Sequence, residues 1–177
     1  MKIKIVQVGE LASNCYLLDI DGEVLIIDPG DEFKRIDSMI GGRTVVGVLI
    51  THSHFDHVGA VLDLVKKYDV CVFDYNHLSV GVNKIGKFTF EVIHTPGHKE
   101  DAITIYFKED KVMFCGDFLF KGSIGRCDLP GGNMREMVDS LKKIKEYDRD
   151  IVIYPGHGDK TTLGDEIDHN PYFAFNH

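Results

Sequence analysis

No two of the four cysteines, Cys15, Cys71, Cys115 and Cys127, stand close enough to form a CxxC pair. Metals held by thiolates show tighter spacing, and a disulfide scaffold is shorter and denser in cysteine. The thiols are therefore expected to be reduced and mostly buried. A basic stripe is also missing: 20 Lys and Arg stand against 28 Asp and Glu, a formal net charge of −8, so no nucleic-acid partner is expected. Long apolar runs are absent too. The longest aliphatic stretches, such as Val24 to Ile27, are far too short to span a bilayer. The start, MKIKIVQVGE, interleaves charge with apolar residues instead of building a signal-peptide core. These features predict a cytoplasmic protein with no membrane partner. No internal repeat, linker or low-complexity segment divides the 177 residues, which suits a single domain over 1–177. Nothing in the sequence marks an oligomeric state.

What is present is an ordinary soluble balance, 44% hydrophobic and 27% charged, patterned into short elements. Strands are predicted at Ile3–Val8, Cys15–Ile20 and Val24–Asp28, with Asp21-Gly22 as the hairpin turn between the last two. Val45–Ile50 is an apolar run that ends abruptly in polar residues, a buried strand feeding a loop. Val58, Val61, Leu62 and Val65 then recur at helical spacing, predicting a helix that ends near Tyr68 with that face buried. Further strands are expected at Val70–Phe73, Phe88–Ile93, Ala102–Phe107, Lys111–Cys115 and Ile151–Tyr154. Asn133, with Glu136 three residues on, predicts a helix N-terminus burying Met137, Val138, Leu141 and Ile144. A short helix is expected after Thr162. Several strands precede the first long helix, and more follow it with another helix among them. That order points to an α+β fold of two packed sheets with helices outside. The irregular, glycine-rich stretch from Lys121 to Gly132 is of the kind that carries function.

The chemistry concentrates in Thr51-His52-Ser53-His54-Phe55-Asp56-His57, between a buried strand and a helix start. His52 and His54 point to one side in extended backbone, while Asp56 and His57 enter the helix. A single metal has too few positions for these groups and others besides. Three more donors stand at predicted strand ends beside glycine: His98 in Thr95-Pro96-Gly97-His98, Asp117 in Cys115-Gly116-Asp117, and His157 in Pro155-Gly156-His157-Gly158. Glycine there permits turns that deliver a side chain inward. Nitrogen and oxygen donors of this kind suit zinc, with iron or manganese also compatible. His77, His94, His169 and His177 match no ligand position.

These signatures, together with Asp28 in Ile27-Asp28-Pro29-Gly30, resemble the metallo-β-lactamase superfamily in order and over nearly the whole chain. Gly116-Asp117-Phe118-Leu119-Phe120, Gly122-Ser123-Ile124-Gly125-Arg126, Asp128-Leu129-Pro130-Gly131-Gly132 and Asn170-Pro171 resemble its glyoxalase II-like hydrolases. The resemblance implies an αββα sandwich of two mixed sheets. It implies one metal held by His52, His54 and His98, a second held by Asp56, His57 and His157, and Asp117 bridging both. A hydroxide between the metals would be the nucleophile, with Asp56 able to take its proton. Asp28 would hold a ligand histidine in its tautomer. Lys121 and Arg126 lie near Asp117 in sequence, and are expected either to contact an anionic substrate or to form structural salt bridges.

The implied function is a dinuclear thioester hydrolase of the hydroxyacylglutathione hydrolase type acting on a small molecule. A mono-iron persulfide dioxygenase and a metal-binding protein without its own catalysis are the alternatives. β-Lactam cleavage is disfavoured by His57 and by Asp117 at a position where a cysteine ligand is common. The chain continues only briefly after His157, leaving no match for the C-terminal helical region that binds glutathione in glyoxalase II enzymes, and Lys99-Glu100-Asp101-Ala102 departs from the usual continuation. An open cleft and a broader thioester range are therefore expected.

Overall fold

The computed structural model describes residues 1–174. The first half comprises β1 (Lys2–Val8), β2 (Ser13–Ile20), β3 (Glu23–Ile27), α1 (Phe33–Ile40), β4 (Thr44–Leu49), α2 (Phe55–Val58), α3 (Val61–Tyr68) and β5 (Val72–Phe73). The second comprises β6 (Gly81–Ile85), β7 (Phe88–His94), β8 (Ile103–Phe107), β9 (Val112–Gly116), β10 (Leu119–Phe120), β11 (Ser123–Ile124), α4 (Met134–Ile144), β12 (Val152–Pro155), β13 (Thr161–Thr162) and α5 (Leu163–His169). A 3-10 turn, Pro171–Ala174, follows. One mixed sheet runs in the order β1-β2-β3-β4-β5 and another in the order β13-β12-β9-β8-β7-β6, with β10 and β11 pairing as a separate small hairpin.

The period-2 alternation of side chains explains why the sheets stack. Leu18, Leu25 and Ile27 from the first sheet meet Phe88, Phe90, Ile105 and Phe114 from the second in one inner core. Their sequence neighbours face the other way: Leu17 and Ile26 pack beneath Ile36, Ile40 and Leu64 of α1 and α3. Met113 and Cys115 pack beneath Met137, Leu141 and Ile144 of α4. Both faces of β2, β3, β8 and β9 are thus buried, giving the αββα sandwich expected of the sequence. Each fully buried Leu or Phe contributes roughly 1.5–3 kcal/mol, so this double-sided burial is what fixes the strand ends where the polar residues sit.

The Asp21-Gly22 turn forms with both residues at positive φ, the primed hairpin geometry. Asn133 caps α4 through its side chain, accepting from the Arg135 and Glu136 amides, and Thr162 caps α5. Two helical faces differ from expectation. The helix foreseen from Val58 breaks at Ala60, just past the end of α2, and α3 then buries Leu64 while Leu62 is 81% exposed. Gly59 keeps helical backbone, and Ala60 (φ −94°, ψ 1°) separates α2 from α3 and shifts the phase; a Cβ at Gly59 would stand 2.2 Å from the Gly30 carbonyl oxygen, so only glycine fits that crossing. In α4 Ser140 is buried and Val138 only half-buried. Of the thiols, Cys15 and Cys115 are buried, Cys127 is intermediate and Cys71 is exposed. Among the described residues no helix is long and apolar enough to cross a membrane.

Candidate metal centre

The Thr51–His57 segment leaves β4 as a loop and runs into α2. It is held from both sides: the Ile103 amide donates to the Thr51 carbonyl, and the Asp28 carboxylate accepts from the Thr51 amide and hydroxyl at 2.7 and 2.5 Å. Asp117 follows β9 and His157 follows β12, two parallel neighbours, so their side chains emerge together. His98 follows β7 and reaches the same point. Two glycines make this convergence possible for different reasons. Gly116 takes φ +51°, and a Cβ there would lie 2.2 Å from Thr51 Oγ1. Gly156 needs no unusual φ, but a Cβ there would lie 2.1 Å from Asp117 Oδ1.

The result is two triads of donor atoms, His52/His54/His98 and Asp56/His57/His157, each with its atoms within 4.8 Å of one another. Asp117 lies between them. Its carboxylate is 3.3 Å from His57 Nε2, 3.5 Å from His157 Nε2 and 3.6 Å from His98 Nε2. A third grouping, Asp28/His52/His57, has its donor atoms equally close together. Asp28, however, already accepts from Thr51 and from His57 Nδ1 at 3.0 Å, so it orients the histidine instead of offering a free oxygen.

The proton positions follow from the outer partners. His57 Nδ1 donates to Asp28, His98 Nδ1 to the Arg126 carbonyl at 2.8 Å, and His157 Nδ1 to the Leu11 carbonyl at 3.0 Å. Thr51 Oγ1 donates to Asp28, so it accepts from His52 Nδ1 at 3.2 Å. A neutral imidazole has one N–H, so in their neutral forms these four rings turn the Nε2 lone pair inward. His54 turns its Nδ1 inward, 2.9 Å from His98 Nε2. Buried His52 Nε2, His57 Nε2 and Asp117 Oδ1 have no hydrogen-bond partner. Lone pairs facing carboxylate oxygens at these spacings are repulsive unless positive charge lies among them. Ligands at 2.0–2.2 Å around a tetrahedral ion would stand about 3.3–3.6 Å apart, close to the separations here.

Without an ion, a proton on His57 supplies part of the positive charge that the carboxylates demand. Burial, then the neighbouring His57, pushes His52 well below the usual histidine range, and burial with His98 lowers His54. Burial opposes a charge on His57 as well, yet the pull of Asp117 and Asp28 raises it to about 10. Burial likewise disfavours the Asp117 anion, but His157 and His57 hold its pKa well below the carboxylate range. His157 is raised by Asp117 against its own burial. One set of rings stays neutral while the carboxylates call for a cation beside the other.

The remaining sequence expectations divide. Arg126 borders an open cleft of about 380 Å3 with His98, Asp117, Phe120 and His157, and forms a bidentate pair with Asp128 at 2.7 and 2.8 Å. Lys121 does not share this cleft; it lines a different depression beside Ile3 and Tyr154. His77 bonds Asp74, His94 the Glu100 carbonyl and His169 the Asp165 carbonyl, all away from the centre. His177 lies outside the described residues. Sequence reading missed Ser13, whose Oγ donates to Asp56 Oδ2 at 3.0 Å, and the Leu11 and Arg126 carbonyls. Backbone acceptors leave no residue signature, and a lone serine at a strand start carries none.

A family model described as the metallo-beta-lactamase superfamily matches residues 8–78 and 74–157. Hydroxyacylglutathione hydrolase GloC of Haemophilus influenzae is 32% identical, over 97% of this chain and 98% of that protein. Three solved structures superpose closely. BLEG-1, a B3 metallo-beta-lactamase, gives a TM-score of 0.93 at 32% identity, over 97% of this chain and 99% of that one. TTHA1623 in a di-iron-bound form gives 0.89 at 34%, over 96% and 99%. ETHE1 from Myxococcus xanthus gives 0.90 at 26%, over 97% and 84%.

Proposed function

The chain belongs to the metallo-beta-lactamase superfamily, and from that premise we propose that it is a dinuclear metal-dependent thioester hydrolase of the hydroxyacylglutathione hydrolase type. The observation that carries this reading is the convergence of the two donor triads on Asp117, with His52 Nε2, His57 Nε2 and Asp117 Oδ1 buried there without a hydrogen-bond partner. His52, His54 and His98 would hold one ion, Asp56, His57 and His157 the other, and Asp117 both; zinc fits these donors, as do iron and manganese. Two divalent ions bound there would lower the pKa of a water from about 15.7 towards 7 and polarise a substrate carbonyl. Asp28 and the Leu11 and Arg126 carbonyls keep His57, His157 and His98 in the tautomer that leaves Nε2 free. Asp56, steadied by Ser13, presents Oδ2 as the proton acceptor for the attacking water. Water adds to the carbonyl carbon and the C–S bond breaks. The thiol departs with a proton, and the acyl group leaves as its acid. The substrate is a small thioester and no nucleic acid or membrane takes part.

The likeness to GloC supports the thioester class. The likeness to ETHE1 supports a second reading, a mono-iron persulfide dioxygenase. Against it stands the complete second triad, which one metal would leave unused. Metal analysis coupled to a substrate panel separates the two. Two metals per chain with thioester cleavage is the expected result. One iron with oxygen uptake on a persulfide would replace it. Because BLEG-1 is named a β-lactamase, a β-lactam belongs in the panel, with little or no turnover expected.

A further inference from the structure

A groove of about 250 Å3 runs between the turn joining β1 to β2 and the chain at Gly30 and α2. Ser13 and Asp56 line its buried end, and Leu11 and Phe55, 54% and 75% exposed, line its outer part together with Glu10 and Asp31. It is continuous with the candidate metal centre. Asp56 Oδ2 accepts from Ser13 and stands 3.1 Å from His157 Nε2, while His157 Nδ1 is bonded to the Leu11 carbonyl in the groove wall. No basic side chain lines it, and neither Glu10 nor Asp31 is paired with a cation among the described residues. The open cleft with Arg126 lies on the other side, against His98, Asp117 and His157.

We propose that this groove receives the acyl half of the substrate and selects a short apolar acyl chain without a carboxylate. The inference rests on the thioester reading. A thioester carbonyl held at the centre sends its two halves in opposite directions. The thiol carrier, free to be large, requires the wider cleft, which leaves the smaller groove for the acyl chain. Leu11 and Phe55 are apolar surface that an alkyl chain covers, at roughly three- to fourfold in binding per methylene. Glu10 and Asp31, both exposed, place negative charge along the groove and disfavour an acyl carboxylate.

The test uses the metal-loaded protein and acetyl, butyryl and succinyl thioesters of one thiol. Butyryl is expected to exceed acetyl about tenfold in kcat/KM and succinyl by at least as much. A Leu11→Ser/Phe55→Ser variant should collapse the butyryl-to-acetyl ratio towards one, and Glu10→Gln/Asp31→Asn should narrow the butyryl-to-succinyl ratio to about twofold. Equal kcat/KM across the series, or ratios unmoved by these variants, overturns the proposal while leaving the hydrolase reading intact. Should no thioester be cleaved, the hydrolase reading fails and the groove is judged by NMR titration with n-butanol. Amide shifts at Leu11, Ser13 and Phe55, lost in the Leu11→Ser/Phe55→Ser variant, would support an alkyl site. Their absence would refute it.

Discussion

The two halves of the sandwich furnish the centre in unlike ways. From the first come His52, His54, Asp56 and His57, all within the short stretch from the end of β4 into α2. From the second come His98, Asp117 and His157, one apiece from the ends of β7, β9 and β12. Outer support differs in the same sense: His57 is held by a carboxylate, Asp28, whereas His98 and His157 are held by backbone carbonyls. The first contribution is written in a short stretch of chain. The second exists only once the six-stranded sheet has formed and set its register. Cooperation between the halves is nevertheless complete, since the loop itself is bonded to Asp28 on one side and Ile103 on the other.

The largest effect is expected where the halves meet. Asp117→Ala removes the group placed between both triads, and should lower hydrolysis by about 10³-fold or more and weaken retention of both ions, checked by kinetics and metal content on one preparation. Next come two glycines that mirror each other. A Cβ at Gly156 collides with the Asp117 carboxylate, whereas one at Gly30 would stand 1.7 Å from the Asp56 backbone oxygen. Gly156→Ala should cost about 10²-fold in kcat/KM through misplacement near 1 Å while unfolding stays near wild type. Gly30→Ala should instead be seen first as a lowered Tm. The reverse pattern would break the contrast.

Asp28→Asn probes the outer partner that is a side chain. Metal affinity should fall about 10–100-fold, measured by competition with a chelator, with the triad of His52, His54 and His98 the less affected. The smallest effect is expected far from the centre, where Lys67 and then Tyr68 of α3 hold the Asp37 carboxyl of α1 below its usual range. A depressed folded-state pKa means stabilisation present above the unfolded pKa near 3.8 and lost as pH falls through the folded value. Asp37→Asn should therefore cost about 1 kcal/mol or less at neutral pH and nothing in strong acid, read from denaturation at both pH values, with activity unchanged.

The same contrast explains what was legible in the sequence. The Thr51–His57 motif, the Asp-Gly hairpin and the capped α4 are local, and each reads directly from its residues. The fold followed from strand order and from double-sided apolar runs such as Val24–Ile27. α1 did not, because it buries only Ile36 and Ile40 and starts from Glu32 at positive φ with no side-chain cap. β6 alternates on a largely exposed edge, and β10, β11 and β13 are two residues each, too short for any periodicity. Leu62 was misplaced because the chain leaves helical backbone at Ala60, between α2 and α3, which resets the helix phase. Arg126 and Lys121 are alike in sequence and differ in surroundings, which only the folded chain determines.

Side chains from both halves are placed to grip two cations. Metal stoichiometry of the purified protein, followed through chelation and reloading, tests this assignment most directly. Two ions per chain are expected, with loss of thioester cleavage on their removal and its return on their replacement. A protein that binds none, or that cleaves thioesters undiminished after complete removal, would contradict it.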